Sequence, residues 1–304
     1  MQYGLFSEED TYLQGNGAKL AHAIRVRNTD AMDRRIDYFM GLDGKVLISA
    51  EAFSNVSNGG ETRRMFQEMR AQGAEVKVIC YFRRQDLWVE SDYKQHIKGR
   101  SSWTAPIKDL IQKRHAREVL NYARTMAYWA MFAGKGNAIA VILNPGQPKD
   151  YPVRRLLDFL GIASGTLDGV MSRQDINVSP PTGLIEPARL LKFALMQKGL
   201  PQEEVSETLG IFFDQAPRQI KVPARRFLLP HAERTALVKD FHDRNMQLPR
   251  DYSAQSGFDD EVIDDLASEM PLLPEAEAIF KKYVRHVPAL SRPRRWFPLL
   301  RGRA

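Results

Sequence analysis

Three short apolar runs rich in β-branched residues stand out along the chain: Lys45–Phe53 (KVLISAEAF), Glu75–Phe82 (EVKVICYF) and Asn137–Asn144 (NAIAVILN). Each is close to continuously apolar, which is the pattern of strands covered on both faces and not of strands with one wet face. Between the first two, Met65, Phe66 and Met69 recur at helical spacing, and Gly73 supplies a stop. Strand, helix, strand implies a right-handed parallel crossover.

After the second run, the spacing predicts a helix from Asp86 to about Lys98, and further helix over Ala105–Gly134 before the third strand. From Tyr151 onward the chain reads as mostly helical. The helical stretches are YPVRRLLDFLGI, GLIEPARLLKFALMQKG, PQEEVSETLGIFF, PHAERTALVKDFHDRNMQL and DDEVIDDLASEM, punctuated by Pro180, Pro181, Pro201, Pro223, Pro230 and Pro249. The expectation is an α/β fold with a three-layer, mostly parallel sheet. It forms one domain over residues 1–290, with the sheet in 1–165, a helical region in 166–290 and a tail at 291–304.

Composition narrows the function classes. With 304 residues, 43% of them hydrophobic, the chain can bury a substantial core. No run reaches the roughly 18 apolar residues of a membrane span, and the N-terminus has no signal-peptide pattern, so a cytoplasmic location is the expectation. The single cysteine, Cys80, excludes an internal disulfide and reads as a small buried hydrophobe; the six histidines show no metal-ligand spacing. The net charge is +7, of which five arginines in Ser291–Ala304 account for most, leaving +2 for the rest. That tail also carries Trp296, Phe297, Leu299 and Leu300, so it reads either as a contact to an anionic membrane surface or polyanion, or as a solvated terminus. No helix-turn-helix or RNP-like motif points to sequence-specific nucleic-acid binding.

The chemistry concentrates where the second run ends, in FRRQDLWVESDY. Ligands of open parallel sheets bind outside the strands' carboxyl ends, and the helix that follows offers free N–H groups and a positive dipole end there. Arg83 and Arg84 therefore suit an anion, and the Ser91 hydroxyl, between one and two turns into the helix, adds a donor to a phosphate oxygen. The alternative is an ion network with Asp86, Glu90 or Asp92.

RRQDLWVESDY resembles the 3′-phosphate motif of PAPS-dependent sulfotransferases, in which an arginine ends a strand and a serine follows eight positions later. Arg83 and Ser91 fall on those positions, and Arg84–Gln85 stand where the family often has Asp-Pro or Asn-Pro, a variant of bacterial glycan sulfotransferase-like proteins. LNYARTMAYWAMFAGKGNAIAVILN, YPVRRLLDFLGI, INVSPPTGLIEPARLLKF and ERTALVKDFHDRNMQLPRDY are similar, in order, to the family's later segments, so the resemblance covers about residues 1–260. It implies a P-loop NTPase-like fold and PAPS or PAP as co-substrate. It further implies sulfuryl transfer to a carbohydrate hydroxyl, 3′-phosphate contacts from Arg83, Ser91 and Arg84, and weaker site roles for Asn177 and Ser179. Glu51, expected at the end of the first strand, is the candidate base, and Ser49 a candidate lining residue.

The resemblance also implies a part that is missing. A glycine-rich Lys/Ser loop after a first strand should cradle the 5′-phosphosulfate. NGGETRRMF has no lysine in its loop, and LQGNGAKLAHAI, with Gly15, Gly17 and Lys19, follows no apolar strand. By that reading the chain begins after the P-loop and its strand and is inactive or nearly so. A displaced start, a truncated copy and a pseudoenzyme that still binds an anion all fit, as does a noncatalytic polyanion binder. Trp88, Tyr93, Trp103, Tyr122, Tyr128 and Trp129 read as core packing, and Lys98 and Arg100 as complements to a helix C-terminus.

Overall fold

A computed structural model describes residues 15–163, 179–219, 222, 224–252, 256–265 and 272–284. They are mixed α/β and mostly helical. The sheet they contain has two parallel strands, β1 (Val78–Arg83) and β2 (Ala138–Leu143), lying next to each other. The chain divides into two compact units: Met1–Phe82, His115–Ser164 and His242–Phe258 form one, and Arg83–Arg114, Gly165–Phe241 and Asp259–Ala304 the other. The chain thus leaves the first unit right after Phe82, at the arginine pair.

In the first unit, α1 (Ala18–Val26), α2 (Thr29–Met40) and α3 (Gly59–Ala71) pack on one another, α3 packs on α6 (Tyr122–Ala133), α6 and α7 (Tyr151–Leu160) lie against β2, and α11 (Gln247–Asp251) lies against α6. The turn from α1 to α2 is set by Arg27, left-handed at φ 58°, and by Asn28, whose side chain accepts the Ala31 N–H at 3.0 Å. Leu20, Ile24, Met32, Ile36, Phe66, Met126, Trp129 and Leu248 fill the core. The helix expected within Ala105–Gly134 takes the form of α5 (Ile107–Ala116) and α6. Glu118 turns left-handed at φ 54°, and Asn121 restarts the helix by accepting the Arg124 N–H. Tyr122, Trp129 and Tyr93 are buried as expected, whereas Trp88 and Trp103 are half-buried.

The strand expected at Lys45–Phe53 does not form. Val46 makes an isolated bridge, and Glu51–Asn55 is a 3-10 turn. The backbone between them is paired with a side chain: Asn16 Nδ2 donates to the Leu47 carbonyl (2.9 Å), and Asn16 Oδ1 accepts the Ser49 N–H (2.8 Å). The Gly17 N–H then donates to the Ser49 carbonyl at 3.0 Å. The glycines of GNG are there for this approach. A Cβ on Gly15, whose φ is +83°, would lie 2.1 Å from the Ser49 oxygen, and one on Gly17 would lie 2.6 Å from the Phe53 ring. GNG is therefore a clasp on residues 47–49.

The second unit is built on α4 (Gln85–Lys98) and α8 (Ile185–Gln197), which pack on each other and on α9 (Gln202–Gln219); α12 (Leu272–Val284) covers α8. The same unit contains most of α5 and of α10 (His231–Asn245). The helix expected over DDEVIDDLASEM is absent from its described part, Asp259–Asp265. The carbonyls there are taken by side chains instead. Arg84 Nη1 donates to Asp259 and Glu261, and Arg234 Nη2 to Ile263 (2.6 Å), while His231 Nε2 lies 3.0 Å from the Val262 carbonyl. A carbonyl held by a guanidinium does not need a helical N–H four residues on.

Candidate functional site

The junction of β1 and α4 separates the two arginines. Arg84 caps α4 and is 2% exposed. Its Nε and Nη2 grip the Asp86 carboxylate at 2.8 and 3.1 Å, and its Nη1 serves the two backbone carbonyls of Asp259 and Glu261. Four of the five guanidinium N–H groups are thus engaged within the protein. The expected phosphate contact from Arg84 is corrected on this ground: Arg84 is a buried tie, and Asp86, fully buried, places the protein's own carboxylate in the first turn of α4. Arg83, by contrast, is exposed as the last residue of β1. Ser91 is half-buried on α4, six residues past Gln85, which is about 9 Å along the axis at 1.5 Å per residue.

A row of buried polar side chains fixes the helix that carries Ser91. Glu90 Oε1 accepts the backbone N–H groups of Leu228 (2.7 Å) and Leu229 (2.8 Å). Lys94 donates to Thr182 Oγ1 (2.9 Å), which donates to the Arg226 carbonyl (3.1 Å). The Tyr93 hydroxyl donates to Glu186, which Arg189 holds at 2.7 Å. At the helix end, Lys192 Nζ donates to the carbonyls of His96 (2.7 Å), Gly99 (3.1 Å) and Ile97 (3.4 Å).

Burial leaves its mark on these groups. It raises the Glu90 carboxyl, against the opposing pull of the Leu229 and Leu228 N–H groups, Lys94 and Arg234. It raises the Tyr93 phenol, further pushed up by the Glu186 charge, and lowers the Lys94 ammonium, which Glu90 partly restores. Lys192 is pushed down to about 8 by burial. Nothing in the apolar periodicity of the sequence names these residues, but their positions carry a signal. Asp86, Glu90 and Lys192 are charged residues on stripes otherwise apolar, with Val89, Tyr93 and Ile97 beside the first two and LLKFALM around the third.

A second cluster on α4 has the composition of a nucleophile site and the geometry of a strut. His96 Nδ1 lies 2.9 Å from Ser101 Oγ, and Nε2 lies 3.5 Å from Asp92 Oδ1. Arg114, which pairs with Asp92 at 2.8 and 3.2 Å, also places Nη2 2.9 Å from His96 Nε2. Arginine only donates, so Nε2 must accept and the proton sits on Nδ1, facing the serine. Burial lowers the His96 pKa and keeps the ring in this neutral form, so it offers Ser101 a donor and no base.

The remaining expected site residues lie elsewhere. Ser49 and Glu51 belong to the first unit and are exposed. Glu51 opens the 3-10 turn and does not end a strand, and Ser49 meets the Asn16–Gly17 clasp through its backbone. Ser179 is exposed; Asn177 and the 291–304 tail lie outside the described residues. The thiol of Cys80 is pushed up to about 12 by its apolar surroundings, although the residue keeps partial exposure, so it is not a nucleophile. Among the described residues, no group of three or more His, Cys, Asp and Glu is placed to hold a metal, and no helix is long and apolar enough to cross a membrane.

No family model matches the chain, and no solved structure matches it. The chain is similar to an uncharacterized protein of Archaeoglobus fulgidus, 43% identical over 55 residues. That stretch is 18% of this chain and spans 14% of the relative's length.

Proposed function

We propose that this chain is a sulfotransferase-like protein that binds PAP or PAPS by its 3′-phosphate at the start of α4. The observation that carries the reading is the order of parts at the junction. An exposed arginine, Arg83, ends a strand of a parallel pair, a helix begins at Gln85, and a half-buried serine, Ser91, follows on that helix at the spacing of the 3′-phosphate motif. Arg83 supplies a fixed positive charge able to hold two phosphate oxygens, and Ser91 a hydroxyl donor. The reading carries with it a three-layer sheet of the P-loop type and a carbohydrate hydroxyl as acceptor.

The same reading gives weak turnover. Transfer needs donors on the 5′-phosphosulfate to take up charge as the S–O bond to the phosphate breaks and the acceptor oxygen bonds to sulfur. Among the described residues, GNG serves as a backbone clasp and Arg84 is internally engaged, so neither is such a donor. The reading assigns no base, because Glu51 is exposed and outside any strand.

Calorimetric titration with PAP tests the claim. The wild type is expected to bind, and Arg83→Ala to lose at least about tenfold in affinity, a charge-assisted phosphate contact being worth about 1.5–3 kcal/mol. Absence of binding, or binding unchanged in Arg83→Ala, removes the nucleotide reading. Binding without sulfuryl transfer to any sugar hydroxyl instead leaves a noncatalytic nucleotide-binding protein.

A further inference from the structure

Glu90 precedes Ser91 and is 4% exposed, yet a buried carboxylate next to a ligand-facing hydroxyl has no part in the nucleotide contacts themselves. Its Oε1 takes two consecutive backbone N–H groups, those of Leu228 and Leu229, which are 138 and 139 residues further along the chain. One turn on, the Lys94–Thr182–Arg226 relay ties α4 to the same stretch, and the Asp265 carboxylate accepts the N–H groups of Arg226 (2.7 Å) and Phe227 (3.1 Å). Arg234, fully buried, lies with its guanidinium carbon 3.7 Å from the centre of the Phe227 ring and supplies positive charge to Glu90. Glu90 Oε2 and Arg234 Nε and Nη1 have no hydrogen-bond partner among the described residues, and the charge of Arg234 acts on Glu90 against the cost of its burial.

An apolar side chain at position 90 would fill space but leave two adjacent backbone donors unpaired. The carboxylate instead fixes the rotation of α4 about its own axis, because successive residues of a helix point about 100° apart. With Glu90 locked inward on Leu228 and Leu229, the direction of Ser91 is set.

We infer that Glu90 is a positioning residue for the 3′-phosphate contact of Ser91, acting through its bonds to the backbone of Leu228 and Leu229. The inference rests on the nucleotide reading above, and the experiment separates the two by comparing PAP with 5′-AMP, which lacks the 3′-phosphate. Wild type is expected to prefer PAP. Glu90→Ala should lower that preference at least about tenfold while leaving 5′-AMP affinity within about twofold, a split that general damage to the fold would not produce. Glu90→Gln keeps Oε1 as acceptor and should restore the preference.

A wild type that binds PAP no better than 5′-AMP overturns the 3′-phosphate reading and the inference with it. A folded Glu90→Ala that keeps the full preference, or a Glu90→Gln as impaired as Glu90→Ala, overturns the inference alone. If Glu90→Ala does not fold by circular dichroism, Glu90→Asp, which draws the carboxylate back by one methylene, takes its place with the same expected loss. Hydrogen exchange at the Leu228 and Leu229 amides, expected to speed up in Glu90→Asp and not in Glu90→Gln, checks that the variant acts through these two bonds.

Discussion

Asn16 shows how much one side chain can do to a segment with strand composition. Its amide presents a donor to Leu47 and an acceptor to Ser49, the two groups that a neighbouring strand residue would present, and it is 1% exposed. Asn16→Ala leaves both partners unpaired and should cost about 2 kcal/mol, read as a shift of the urea midpoint without a change in slope. Asn16→Asp should cost at least as much, because the carboxylate keeps the bond to the Ser49 N–H but sets an oxygen against the Leu47 carbonyl. The GNG tripeptide was legible as glycines beside Lys19 with no strand before them. Its use was not, because the segment it clasps lies more than 30 residues away, beyond the reach of any local pattern.

At the scale of the element, α4 is tied to the rest of the second unit by buried side-chain bonds along its length, and Lys192 holds its end. Three carbonyls at the C-terminus of α4 face the three donors of one ammonium, the position where a helix dipole favours a cation. Lys192→Met keeps the apolar stem and removes the donors, so about 2–3 kcal/mol of stability should be lost, seen as a lower melting temperature. The pH dependence carries a sign. Burial holds Lys192 near 8 in the fold against 10.5 for the ordinary side chain. Between those values the unfolded chain binds more protons than the folded one, so this group's contribution to stability rises with pH across roughly pH 8–10.5. The wild type should therefore gain on Lys192→Met over that window in paired urea titrations, and a flat or falling difference would contradict the burial of the amine.

The boundaries of α4 and β1 were legible from spacing to within three residues, because apolar periodicity is a local signal. The roles of Arg83 and Arg84 were not separable by that means. Which arginine faces outward depends on Asp259 and Glu261, whose carbonyls are presented by a segment that composition alone reads as helix.

At the scale of the whole molecule, neither unit is a single run of chain: among the described residues the chain changes unit at 82/83, 114/115, 241/242 and 258/259. A cut at the end of the expected sheet region therefore removes part of the first unit. In residues 1–165 the core loses Leu248, which is fully buried, and the Ala140 N–H of β2 loses its bond to the Tyr252 carbonyl (3.2 Å). Loss of one buried leucine alone costs about 3 kcal/mol, a large share of an ordinary domain's stability, so this fragment should melt well below the full chain or fail to fold. A fragment that melts cooperatively at the full chain's temperature would contradict the division.

The sequence by itself determined α3, α4 and several later helices, the two paired strands, and the strand-to-helix junction at which Arg83 and Ser91 take their places. These follow from propensity and periodicity, which act over a few residues. Tertiary structure alone decided that Leu47 and Ser49 pair with the Asn16 side chain, that Asp259–Asp265 forms no helix, and that Arg84 turns inward while Glu90 fixes α4. In each case a buried polar group must find a partner, and which partner the fold brings within 3 Å depends on residues tens to hundreds of positions away.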